Sequence, residues 1–122
     1  MNQLQQNTFI ITKAQENYLT VYPSNIWDEQ IGQKVLGLPH SDDQANRLRR
    51  QIGINTTDTK LDSQGRITVP QDYCLHAGID KKVKIIGSVD TLQLWNPEKY
   101  QDYIAKQTEE KPLTEELKAF GI

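Results

Sequence analysis

The stretch Lys60-Leu61-Asp62-Ser63-Gln64-Gly65-Arg66-Ile67-Thr68-Val69-Pro70 decides how the rest of the chain is read. An apolar residue leads into a polar turn with a glycine. One arginine stands at the turn exit, and a β-branched strand closed by proline follows. Gly65 suits a turn position with φ > 0, where a Cβ would clash. Ile67 and Val69 are predicted on one face of the outgoing strand, Arg66 and Thr68 on the other. Pro70 stops that strand and suits the first turn of a helix. Asp62 and Arg66 flank the turn, close enough to pair, so the arginine would be held at the tip. A held arginine can present its planar donors to a phosphate or a guanine edge. By itself so short a turn specifies only a hairpin, and its meaning depends on its surroundings.

A chain of 122 residues holds one domain or two very small ones. With 36% hydrophobic and 25% charged residues it has a soluble globular composition. The formal net charge of −2 does not draw nucleic acid by bulk attraction, so any DNA contact needs a local basic patch. No apolar run approaches membrane-spanning length, and the first eight residues lack the basic and apolar regions of a signal peptide. Cys74, the single cysteine, cannot form an internal disulfide, and with His40 and His76 it supplies too few ligands for a zinc site. A reducing, cytoplasmic setting is expected, with no metal, cofactor, small-molecule ligand or membrane partner.

Working outward from the hairpin, Asn55 to Leu61 reads as the incoming strand. A short helix is predicted after Pro70, to about Gly78, with Tyr73 and Ala77 on one side. Val83 to Ile86 and Leu92 to Trp95 read as strands around a turn at Gly87 to Asp90. Asn96 and Pro97 suit the cap and first position of a helix with Tyr100, Tyr103 and Ile104 as its buried stripe. Upstream, residues 1–8 are polar and expected to be disordered or a fragment of a connection. Phe9 to Thr12 and Tyr18 to Tyr22 read as strands. Trp27, Ile31, Val35 and Leu38 fall on one helical face, ended by Gly37 and Pro39. Ser41 and Gln44 have the form of a capping box, opening a helix with Ala45, Leu48 and Ile52 that Gly53 ends. Lys111-Pro112 breaks the chain before an amphipathic tail with Leu113, Leu117 and Phe120.

Two stretches share one grammar. Leu19/Leu92, Val21/Leu94, Tyr22/Trp95, Trp27/Tyr100 and Ile31/Ile104 all stand at one offset. Residues 55–78 form a head before the second copy. The corresponding head of the first copy belongs before Phe9, where only eight residues stand. Either the protein has a single hairpin, or the chain starts late.

This arrangement resembles the MraZ family, within the AbrB/SpoVT swapped-hairpin group. The likeness rests on Asn7-Thr8-Phe9-Ile10-Ile11-Thr12, Leu19-Thr20-Val21-Tyr22-Pro23 with Trp27, and Leu36-Gly37-Leu38-Pro39. It continues in the hairpin, in Ala77-Gly78-Ile79-Asp80-Lys81 and in Leu94-Trp95. The resemblance implies an α+β fold, an AbrB/SpoVT-like swapped-hairpin β-barrel with short helices and two pseudo-repeated halves. The first half, residues 1–40, would be incomplete; 41–53 would be a linker helix, 54–107 the complete half and 108–122 a tail. It also implies a DNA-binding, nucleoid-associated regulator of the bacterial division and cell-wall gene cluster. Such proteins read promoter repeats in double-stranded DNA as homo-oligomeric rings. Arg66 would make the principal contact, Asp62 would orient it, Gly65 would permit the turn and Lys60 would add a phosphate contact.

Other readings compete. Arg47, Arg49 and Arg50 suit a subunit interface or a solvated helix face better than DNA. Lys81, Lys82 and Lys84 read as surface charges, and Tyr22, Trp27 and Trp95 as core anchors. A second function class is an oligomerisation module or antitoxin-like protein, whose tail could dock on a partner although packing on its own subunit is favoured. An enzyme is disfavoured. No nucleophile triad, phosphate loop or metal cluster is present, and Cys74 and His76 are two apart on a helix and face different ways.

Overall fold

The computed structural model describes residues 7–14, 16–106 and 112–122. The expectations for residues 1–6 and for Lys111 lie outside these. Asn7 and Thr8 are ordered by pairing: Thr8 begins β1 (Thr8–Lys13), and the Asn7 carbonyl accepts from Leu61 N at 2.7 Å. Five strands form one antiparallel sheet in the order β3-β1-β2-β5-β4, where β2 is Leu19–Pro23, β3 Thr56–Lys60, β4 Lys84–Ser88 and β5 Thr91–Trp95. Short helices complete the α+β class expected.

The centre of the sheet carries the sequence repeat. Strands β2 and β5 pair Leu19 with Leu94, Thr20 with Gln93 and Val21 with Leu92. Since the repeat equates Leu19 with Leu92 and Val21 with Leu94, a local two-fold passes through the Thr20–Gln93 pair. The aromatic anchors obey it as well. Tyr22 meets Trp27 edge-on at 5.2 Å and 73°, and Trp95 meets Tyr100 at 5.4 Å and 69°. Tyr18 stacks on Trp95 at 4.5 Å, which helps to bury the second tryptophan.

Alternation in the strands places Ile11, Leu19, Val21 and Leu94 on one face. Helix α4 (Gln71–Ala77) lays Tyr73 and Ala77 over them, with Phe9, Val69 and Ile79 at the margin. Gly78 ends α4 in the left-handed region at φ 67°, as a C′ glycine does. Asn96 then ties two elements together. Its Oδ1 accepts from Glu98 N and Lys99 N at the start of α5 (Pro97–Lys106), while its Nδ2 donates to the Gly78 carbonyl at 2.7 Å.

The upstream helical face is interrupted. Helix α1 (Ser24–Trp27) and helix α2 (Gln33–Leu36) are joined by a π-helical turn over Asp28–Gly32. Trp27, Ile31 and Val35 are half-buried as the spacing requires.

Several sequence expectations are corrected. The cap of α3 (Asp43–Asn55) is Asp42, not Ser41: its carboxylate accepts from Gln44 N at 2.8 Å and Ala45 N at 3.3 Å. An ionised acceptor at the positive helix end outcompetes a hydroxyl one residue earlier. Replacing Asp42 by alanine is expected to cost about 1 kcal/mol, read as a lowered denaturant midpoint; an unchanged midpoint contradicts the cap. Gly53 does not end α3, which runs on until its backbone turns directly into β3 at Thr56. Tyr103 and Ile104 are exposed, so α5 buries less than its stripe suggests. The tail helix α6 (Leu113–Ala119) does not fold back to bury its apolar side: Leu113 and Phe120 stay exposed.

Candidate nucleic-acid interface

The hairpin tip is built by one carboxylate. The Asp62 Oδ1 accepts from Gln64 N and Arg66 N, both at 2.9 Å, and Oδ2 accepts from Arg66 Nε at 3.2 Å. Backbone bonds close the turn from Asp62 N to the Arg66 carbonyl (2.8 Å) and from Gly65 N to the Asp62 carbonyl (3.1 Å). Gly65 has φ 77° with nothing within 4 Å of where a Cβ would stand, so glycine is needed for its backbone angle and not for space. The expectation that Asp62 and Arg66 pair is met.

This pairing leaves the working end of the arginine available. The Asp62 contact uses Nε, and neither Nη atom has a hydrogen bond among the described residues. The Arg66 side chain is 71% exposed. Held at its root, the guanidinium keeps its outer edge for a bidentate acceptor. Lys60 is exposed at the end of β3, on the same hairpin stem. Both cations are exposed on the hairpin of a chain whose net charge is negative.

The Asp62 carboxyl is held below its usual range, chiefly by the backbone N–H of Arg66; desolvation opposes this, and the N–H of Gln64 and the Arg66 side chain reinforce it. A group with a lowered folded pKa stabilises the fold above its unfolded value and loses that contribution as pH falls through the folded one. The amide resonances of Gln64 and Arg66 are therefore expected to titrate together, with a midpoint below 3.8. A midpoint at or above that value would contradict the clamp.

The outgoing arm differs from its sequence reading. Residues 67–69 form no strand ladder among the described residues. Thr68 N donates instead to the Thr59 hydroxyl at 3.2 Å, and Ile67 N and Val69 N have no partner among the described residues. A strand forms only where a neighbour accepts its hydrogen bonds, and none does so among the described residues. Thr59 as a stem latch was not anticipated; a threonine-rich strand is the only hint of it.

The other cations divide. Arg49 is half-buried and closes the end of α2, donating from Nη2 to the Val35 carbonyl at 3.3 Å and to the Leu38 carbonyl, with Nη1 on Asn46. Arg47 and Arg50 are exposed. Lys13 pairs with Asp72 at 3.2 Å and lies over the Tyr73 ring. Cys74 Sγ points to the Val69 carbonyl and His76 Nε2 to the Ala14 carbonyl, so those two side chains do not meet. Among the described residues no three potential metal ligands cluster, and no helix is long and apolar enough to cross a membrane.

Comparison with known proteins gives a consistent result. The family model described as "MraZ protein, putative antitoxin-like" matches residues 53–120. The chain is 31% identical over 100 residues to a transcriptional regulator MraZ of Corynebacterium kroppenstedtii, covering 82% of this chain and 69% of the relative. It is 34% identical over 94 residues to that of Mycobacterium ulcerans (77% and 65%) and 32% identical over 108 residues to that of Leuconostoc citreum (88% and 74%).

Proposed function

Because the chain belongs to the MraZ family, we propose that it is a DNA-binding transcriptional regulator whose reading element is the hairpin 60–70. The observation that carries this reading is the Asp62 clamp on Arg66, which uses Nε and leaves both Nη groups without a partner among the described residues on an exposed side chain. Relatives named as transcriptional regulators support the same reading. Arg66 makes the principal contact with duplex DNA, Asp62 fixes its direction, Gly65 permits the turn and Lys60 neutralises a neighbouring phosphate.

The hairpin tip of a chain of net charge −2 gives few phosphate contacts by itself, so useful affinity requires several tips on one duplex. Multivalency supplies this through effective concentration. We accordingly propose a homo-oligomeric ring on promoter repeats, with the division and cell-wall gene cluster as target and the cytoplasm, at the nucleoid, as its place. The test is salt-dependent binding of the chain to a duplex carrying several promoter-type repeats, with oligomer mass measured in the same buffers. Binding that rises with repeat number and falls with salt is expected. An oligomer that ignores DNA at low salt would leave the second reading, an antitoxin-like interaction module, which the exposed apolar side of α6 favours.

A further inference from the structure

Between α3 and the interrupted upstream helix a groove of about 490 Å³ opens. Trp27, Ile31, Val35, Leu36 and Ile52 give it an apolar lining, and Arg49 lies among them. The π-helical turn Asp28–Gly32 supplies part of one wall, an insertion of the kind that recurs at functional sites. At the groove's lip Leu36 is 80% exposed. Arg49 is the unusual member. It is half-buried, yet its hydrogen bonds go to two carbonyls and to Asn46. No carboxylate pairs with it among the described residues. A half-buried cation met only by neutral oxygens, in an apolar setting, favours a carboxylate brought to it.

Helix α6 carries the matching surface. Leu113, Leu117 and Phe120 stand at spacings of four and three, so they share one stripe, and Glu116 borders it. Its own chain does not cover that stripe: Leu113 is 70% exposed and Phe120 84%. None of the residues lining the groove belongs to α6. We infer that the groove between α1–α2 and α3 receives the α6 helix of a second copy of this chain. Leu113, Leu117 and Phe120 fill the apolar lining, and Glu116 meets Arg49. An amphipathic helix laid in an apolar groove is anchored at such spacings. The two surfaces differ, so the interface is heterologous, and each copy gives one tail and takes one. Contacts of this kind close into a ring where the rotation allows it. The inference therefore rests on the homo-oligomeric reading proposed above and assigns the surfaces that join its subunits.

The test uses the whole chain and two variants, Leu36→Asp in the groove and Phe120→Asp in the tail, with mass followed by sedimentation over a concentration series. Both side chains are exposed, so each variant should keep the circular dichroism of the parent. Each alone should associate roughly tenfold more weakly than the parent, or less. Mixed in equal amounts, they should form a one-to-one complex and stop there. The Leu36→Asp chain still offers its tail and the Phe120→Asp chain still offers its groove, but the other two surfaces are spoiled. Glu116→Gln should weaken association of the parent and reduce its salt dependence. Variants that keep the parent mass overturn the inference, and so does a mixture that returns to that mass. A parent that is monomeric at every concentration overturns it together with the oligomer reading, whereas parent-like variants of an oligomeric parent leave that reading standing. No DNA enters the assay, so its failure is distinct from failure of the regulator reading.

Discussion

Replacing Arg66 by alanine is expected to lower affinity for the repeat-bearing duplex by roughly 5- to 150-fold per hairpin engaged, since a bidentate arginine contact contributes about 1–3 kcal/mol. The oligomer mass and the melting temperature should stay as in the parent. Arg66 is exposed, and its only side-chain bond among the described residues is the surface pair with Asp62, worth little to the fold. Arg66→Lys should recover only part of the loss, because a lysine keeps the charge but not the planar fork. If the contact is to phosphate, Arg66→Ala also lowers the salt slope by about 0.9 for each hairpin bound. Measured affinity that is unchanged by Arg66→Ala would remove the hairpin from the binding surface.

The second large effect separates two isoleucines of the same sheet. Ile11→Ala should destabilise the chain by about 2–5 kcal/mol, the range for truncating a fully buried aliphatic side chain. That is a large share of the ~5–15 kcal/mol by which small domains are stable. Ile85→Ala, at the equivalent place in the other half, should cost well under half as much, because its side chain already meets solvent. Urea unfolding of both variants decides this. Equal losses would mean that Ile85 is covered in solution, by an added segment or by another copy of the chain. The contrast therefore also reports on the state of the β4 edge.

Local chemistry made much of the protein legible from its residues. The hairpin turn could be read because Gly65 and Asp62 act on backbone within four residues of themselves. The Asn96 cap, the Gly78 stop and the helix after Pro70 are local in the same sense. The repeat was visible because apolar and aromatic residues recur at one offset, and the symmetric pairing of β2 with β5 follows that pattern. Competition between neighbours was harder to see. Ser41 and Asp42 both suit a cap, and only the path of the chain selects the carboxylate. Gly53 has the composition of a helix end, but continuation of the backbone into β3 carries α3 past it.

What the tertiary structure alone decided is which apolar residues are covered. Sequence assigns Ile11 and Ile85 the same character, and pairing assigns them opposite environments, because burial depends on a segment distant in the chain. The same holds for residues 67–69, whose strand-forming composition makes no ladder without a neighbour to accept its bonds. Arg49 belongs here too: its charge was plain, but its role as a clamp on the end of α2 appears only when two helices meet. The sequence by itself determined the repeat, the turn and the arginine at its tip, since each rests on interactions a few residues long. Edges, covers and clamps rest on contacts between segments far apart, and these only the folded sheet brings together.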